Sequence, residues 1–178
     1  HPGTKAGLVA FTSEDLGMTW SESPIQVPDS APVAVSGRLV TYRGRHVLPV
    51  HSVEHGAQPA QSVLASDDLV HWDLGGSVAG SDGTVTHTQP GEHQDGLIMV
   101  MREPPSPNPP AGCTDSHAQF SLSTDCGVSW SPTQPFLEVP CPTERAFFAT
   151  DSLGRYVAIF NTGEEPRTLK CRVREPRG

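Results

Sequence analysis

The chain is short of aromatic residues, with three Trp, two Tyr and six Phe among 178, and has no apolar run long enough to span a membrane. Basic residues are scarce too: 12 Lys and Arg stand against 20 Asp and Glu, a net charge of −8. General nucleic-acid binding needs a basic surface that displaces counterions, so this balance argues against it. It still allows a local arginine cluster to receive an anionic small molecule. The four cysteines, Cys113, Cys126, Cys141 and Cys171, lack CxxC spacing, and no structural zinc site is expected. One or two disulfides, or four thiols, remain open readings, and with them the redox compartment. The opening HPGTKAGLVAF has no apolar core bounded by a small-residue cleavage site, so no secretory signal is visible. Secreted, periplasmic and cytoplasmic locations therefore all stay open. No segment keeps a 3.6-residue apolar period, so almost no helix is expected.

What the chain does have is repetition. Every tryptophan closes the same short motif: Ser13-Glu14-Asp15-Leu16-Gly17-Met18-Thr19-Trp20, then Ser66-Asp67-Asp68-Leu69-Val70-His71-Trp72, then Ser123-Thr124-Asp125-Cys126-Gly127-Val128-Ser129-Trp130. The second copy is one residue shorter and lacks the glycine. A turn motif recurring at long period implies one supersecondary unit used repeatedly.

Between the motifs lie short segments rich in Val, Ile, Leu and Phe, bounded by Gly, Pro, Asp and Ser, which is a strand pattern. Pro 18 and Gly 17 supply the turns. Strands are expected at Ala6–Thr12 and Ser21–Val27; at Val33–Tyr42, Arg45–Val50, Gln61–Ala65 and Trp72–Leu74; at Thr84–Pro90, Leu97–Arg102, His117–Leu122 and Trp130–Leu137; and at Ala146–Asp151, Arg155–Asn161 and Leu169–Val173. Four strands per unit, with the motif between the third and fourth, describe an all-β propeller of four-stranded antiparallel blades. The units divide as 1–28 (the end of one blade), 29–76, 77–138 and 139–178 (an incomplete blade). That is roughly three blades, too few to close a ring, so a partial chain with exposed edges is expected.

In the motif, Asp accepts backbone N–H groups of its own turn, Gly supplies positive φ, Ser adds a hydroxyl and Trp packs the turn on a neighbouring strand. Ser13, Asp15, Gly17, Trp20, Ser66, Asp68, Trp72, Ser123, Asp125, Gly127 and Trp130 are thus expected to be structural. Strand alternation puts the loop after each second strand at the end of the sheet opposite the motif. Chemistry is expected there.

The three motifs resemble the Asp-box, or bacterial neuraminidase repeat, of the sialidase superfamily, with pattern S-x-D-x-G-x-x-W. The stretch from Thr88-Gln89-Pro90 through Glu92 and Asp95-Gly96 to Arg102 is similar to the family's segment before a box. The resemblance implies a propeller of six blades when complete, a carbohydrate partner, no cofactor and no metal. It also implies a sialidase-like glycoside hydrolase that removes a terminal sugar, anionic or neutral. Sialidases hold the substrate carboxylate with three arginines, whose planar forks match it. Arg102 stands at one such position; the alternative is a surface arginine paired with Glu103.

Gln89 occupies the place of the family glutamate that activates a tyrosine nucleophile, and an amide cannot accept that proton. Glu92 is the neighbouring carboxylate that could replace it, or a strand residue without that role. Tyr42 and Tyr156 match no nucleophile position, which is expected beyond Gly178. His51-Ser52-Val53-Glu54-His55 spells HxxEH, but the zinc use of that motif needs a helix, and Pro49 and Gly56 bracket a strand context. His51, Glu54 and His55 are instead candidate sugar contacts, or a solvated loop. The proline-rich run 103–115 either walls the same cleft or is an insertion without a role. Two other readings stay open: a non-catalytic carbohydrate- or protein-binding propeller, and a five-bladed arabinanase- or invertase-like glycosidase, suggested by SDDLVHW.

Overall fold

The computed structural model describes residues 8–28, 33–52, 60–88, 94–102, 117–140, 146–161 and 169–175. Within them the chain is all β, without helix, in four antiparallel sheets that do not close on one another. The first sheet is the hairpin β1 (Ala10–Thr12) and β2 (Ser21–Ser23). The second holds β3 (Val33–Val35), β4 (Val40–Tyr42), β5 (Arg45–Ser52), β6 (Ala60–Ser66), β7 (Asp73–Leu74) and β8 (Val78–Ala79). The third is a four-stranded meander: β9 (Ser81–His87), β10 (Leu97–Arg102), β11 (His117–Ser123) and β12 (Gln134–Pro140). The fourth has β13 (Phe147–Thr150), β14 (Tyr156–Asn161) and β15 (Leu169–Arg174). These are propeller blades.

Several strands differ in extent from the sequence reading. The continuous strand expected at 33–42 is two, β3 and β4, both paired with β5. The break falls at Gly37, where a Cβ would lie 2.8 Å from Pro49 Cγ, so the chain steps aside there. The strand expected at 72–74 is β7 at Asp73–Leu74, and beyond Gly75 and Gly76 a further short strand, β8, also pairs with β6. The strand expected at 84–90 starts at Ser81 and ends at His87.

Side-chain alternation builds the core between sheets rather than within one. Along β10, Leu97, Met99 and Met101 join Val40, Tyr42, Val47 and Val63 of the second sheet. Ile98 and Val100 point the other way, into a cluster with Phe148, Tyr156, Ala158 and Phe160 of the fourth. A third cluster, around Val50, Leu64 and Trp72, receives Leu8, Ile25 and Val27 from the first unit. Each interface buries the apolar row of one sheet against the next.

The boxes end the third strands. In the first, Gly17 N–H donates to Ser13 Oγ (2.8 Å) and Thr19 N–H to Asp15 Oδ1 (2.8 Å), so two side chains satisfy the turn's donors. Leu16 and Gly17 both take positive φ, 59° and 89°, and Cys126 and Gly127 repeat this at 61° and 86°. The shorter second box needs only one such residue, Leu69 at 65°, and so turns without glycine. There Val70 and His71 N–H both donate to Asp68 Oδ1 at 2.8 Å.

The second and third boxes are also joints to the sheet before them, which local packing against a neighbouring strand does not anticipate. Gln26 N–H donates to Val70 O (2.7 Å), Trp72 N–H to Gln26 O (2.9 Å), and Gly76 N–H to Gly127 O (2.9 Å). The tryptophans of the second and third boxes pack into the cores shared with the preceding sheet, Trp72 to 7% exposure, whereas Trp20 stays 62% exposed.

Candidate functional site

Second strands run away from the boxes, so their last residues gather at the opposite end of the sheets. His51 pairs with Gln61 and Ala34 there, Arg102 with Ser81, and Asn161 with Leu169. Backbone pairing alone fixes these positions.

A bulge shapes the middle of this end. Val100 pairs with Thr84, yet Arg102 pairs with Ser81, so an extra residue of β9 is accommodated between them. Such bulges bend a strand and re-aim the side chains beside them. Gly83, in the bulge, donates its N–H to Oε1 of the buried Gln61 (2.9 Å), tying the second and third sheets together at the rim. Gly83 sits so near that a Cβ would meet Gln61 Oε1 at 2.8 Å.

His51 shares the side of β5 that carries Val47, and so faces the third sheet. His117 is the first residue of β11 and lies at the same end, where a register shift separates it from Ala118. Both imidazoles are half-buried, and each has a buried Nδ1 without a hydrogen-bond partner among the described residues. The same holds for Oδ1 of Asn161. Buried polar atoms left without a partner are rare in folded proteins, and each of these calls for a water or another polar group beside it. With the guanidinium of half-buried Arg102 at the same end, the set suits sugar hydroxyls and a carboxylate. No group of three or more His, Cys, Asp and Glu that would hold a metal occurs among the described residues.

The structure thus brings His51 and Arg102 to one end. Glu54, His55, Gln89 and Glu92 lie outside the described residues. The residues flanking 89–93 are placed, however: Thr88 N–H donates to Gly96 O (3.0 Å), Thr88 Oγ1 donates to Gln94 O (3.0 Å), and Gly96 packs on Ser123 O of the third box. They stand at the box end, and β10 separates them from Arg102 by about 17 Å at a strand's rise per residue. Tyr42 and Tyr156 are at the box end as well, both buried; Tyr42 Oη donates to Asp95 O (3.0 Å). Burial, then the Asp95 carboxylate, pushes the Tyr42 phenol up, against the pull of Arg43.

Sequence reasoning missed His117, Asn161 and Gln61. Their only signal is position, at the end of a second strand or the start of a third. Of the cysteines, Cys126 is a half-buried thiol and Cys171 an exposed one; Cys113 and Cys141 lie outside the described residues.

Two inter-sheet cavities of about 500 Å3 and about 510 Å3 flank the molecule. The first is apolar, walled by Phe11, Ile25, Leu39, Leu48 and Trp72. The second has a floor of Phe136, Phe148 and Tyr156 beside Arg172 and Arg174. Neither wall includes Arg102 or His51. Compared with known proteins, the whole chain, residues 1–178, matches the family described as BNR repeat-like domain. No curated protein matches it.

Proposed function

The chain belongs to the BNR repeat-like domain family, and we propose that it carries part of the carbohydrate-binding face of a sialidase-like glycoside hydrolase. The carrying observation is the placement of Arg102 and His51 at the same end of adjacent sheets, opposite the boxes. In this reading Arg102 binds a substrate carboxylate through its planar fork, and His51 and His117 contact ring hydroxyls. Glu54 and His55 fall in sequence between Ser52 and Ala60, the described residues where β5 ends and β6 begins at that face. Hydrolysis of a panel of fluorogenic sialosides and neutral glycosides tests it, with Arg102→Ala as control. Turnover lost in the variant supports the reading; no turnover from any substrate removes the hydrolase.

A second reading, a carbohydrate-binding propeller without catalysis, is favoured by one observation. The position of the family glutamate is Gln89, and its described neighbours Thr88 and Gln94 stand at the box end. Glycan-array binding without turnover, unchanged in Gln89→Ala, is its signature.

A further inference from the structure

We infer that Gln61 is a positioning residue: from the second sheet it holds the bulge of the third, fixes Arg102 relative to His51, and so gives the site its preference for a carboxylate-bearing sugar. The inference rests on the proposed reading of Arg102 as the carboxylate contact. Gln61 is a polar residue in an apolar row. Val63, its neighbour on the same side of β6, packs with Val47, Val85, Met99 and Met101 between the second and third sheets. Gln61 itself is 1% exposed, so it acts through what it holds rather than by touching a ligand. What it holds is the N–H of Gly83, which donates to its carboxamide oxygen at 2.9 Å.

The bulge creates the need for such an acceptor. Val100 pairs with Thr84 and Arg102 with Ser81, so three steps along β9 answer two along β10. A bulge takes a residue out of the ladder, and a buried N–H left without an acceptor is costly. Gln61 supplies the acceptor from the neighbouring sheet. The fit is close: a Cβ on Gly83 would lie 2.8, 3.0 and 3.2 Å from Oε1, Cγ and Cδ of Gln61, so the glutamine runs along the bare backbone of the glycine. Just before the bulge, a Cβ on Gly80 would meet Met101 Sδ at 2.5 Å and Arg102 O at 3.2 Å. The chain is thus pressed onto the end of β10 before the bulge and onto Gln61 within it.

Arg102 depends on this pairing more than the residues before it in β10. Pairing of β10 with β11 stops at Met101 with Gln119, so among the described residues Arg102 has Ser81 as its strand partner and no other. Where the bulge sets Ser81, it sets the backbone of Arg102. On the second sheet Gln61 is the cross-strand partner of His51, and directly paired residues share a face. One residue therefore stands beside one candidate ligand contact and holds the strand pairing of the other. With it in place, the two sheets present His51 and Arg102 at a set separation, as recognition of a sugar ring together with its carboxylate requires. Without the acceptor the bulge can move along β9, and a slip of one residue changes which residue stands opposite Arg102.

Calorimetric titration of the 178-residue chain with a methyl sialoside and with a methyl galactoside, beside amide hydrogen exchange, tests this. Gln61→Met keeps length and bulk without the oxygen. It should weaken sialoside binding roughly tenfold, about the worth of one hydrogen bond, and galactoside binding less than about twofold. Exchange reports the clamp without any ligand: the Gly83 amide should exchange at least about tenfold faster in Gln61→Met than in the wild type. Unchanged Gly83 exchange overturns the inference, and so does equal weakening for both sugars, which makes Gln61 a structural residue. If Arg102→Ala removes the preference for the sialoside while Gln61→Met leaves it, the carboxylate contact stands and this inference alone falls. A wild type that binds the sialoside no better than the galactoside removes both. Should Gln61→Met lose cooperative thermal unfolding, Gly83→Ala takes its place, pushing the flexible end of Gln61 aside from the third sheet. It should show the same loss of preference, and an unchanged preference there overturns the inference.

Discussion

Gly76 of the second sheet donates its backbone N–H to the carbonyl oxygen of Gly127 in the third box, 2.9 Å away. In the first box the equivalent carbonyl, of Gly17, is taken by the indole of its own Trp20 at 3.0 Å. The incoming sheet therefore replaces a hydrogen bond the box makes when alone, and a local turn becomes an inter-sheet joint. The approach is possible because neither Gly75 nor Gly76 has a side chain. A Cβ on Gly76 would lie 2.6 Å from Val128 O, and one on Gly75 would collide with Gly127 O. Gly75→Ala and Gly76→Ala are each expected to destabilise by about 1–3 kcal/mol through overpacking. Gly44, at positive φ (81°) and with open space around it, should cost only its backbone strain, about 1 kcal/mol. Urea midpoints of the three variants make the comparison.

The same joint predicts opposite behaviour from two tryptophans. Trp72 Nε1 donates to Leu69 O at 3.1 Å. Trp130 Nε1 is buried without a partner among the described residues, its box carbonyl being occupied by Gly76. Replacing a bonded donor costs about 0.5–1.5 kcal/mol, while removing an unsatisfied one relieves a desolvation penalty. Trp72→Phe should therefore lose about 1 kcal/mol or more relative to Trp130→Phe. Equal losses in denaturant unfolding would mean that the indole nitrogens are irrelevant and ring volume alone matters.

Acid should loosen the boxes before it reaches the cores. The Thr19 hydroxyl and N–H, with the Ser13 hydroxyl, hold the Asp15 carboxyl down at about 2 against an ordinary 3.8. His71, through its ring and its N–H, lowers Asp68 similarly, and Ser129 lowers Asp125 against an opposing push from burial. An acid depressed on folding stabilises the fold fully above its unfolded value and loses that contribution as pH falls through its folded value. For Asp15 the window runs from 3.8 down to about 2. The thermal midpoint should drop over that range, and Asp15→Asn should lower it at neutral pH while flattening its acid limb. A midpoint with the same acid slope in wild type and variant would contradict this.

The all-β class, the antiparallel order and the place of the second and third boxes between third and fourth strands were readable from the sequence; the strand count was not, since β3 and β4 were read as one and β8 was missed. They rest on local signals: apolar segments of period two, bounded by Gly, Pro and Asp. The joint was not readable, because Gly75-Gly76 after a strand looks like any turn, and its partner lies in the next repeat. Nor was the destination of Trp72 and Trp130, which pack on the sheet before their own. At the candidate site, Arg102 stood out because an apolar run ends in a guanidinium. His117 and Asn161 are single polar residues at strand ends, indistinguishable by pattern from solvated ones. Only the register that places them at the same end of the sheets as His51 and Arg102 gives them meaning.

That register sets the test of the site. Arg102 is half-buried at the tip of β10, away from the box and from all three core clusters. Its replacement is expected to weaken ligand binding by more than it lowers the melting temperature. A charge-assisted hydrogen bond contributes about 1.5–3 kcal/mol, so Arg102→Ala should weaken binding of a carboxylate-bearing sugar about 10- to 150-fold. Arg102→Lys keeps the charge but not the planar fork, and should recover only part of that loss. A neutral sugar should be affected much less by either change. Isothermal titration with one anionic and one neutral glycan, beside thermal unfolding of each variant, separates the outcomes. Equal weakening for both glycans would remove the carboxylate contact. A fall in melting temperature matching the loss of binding would reduce Arg102 to a structural residue.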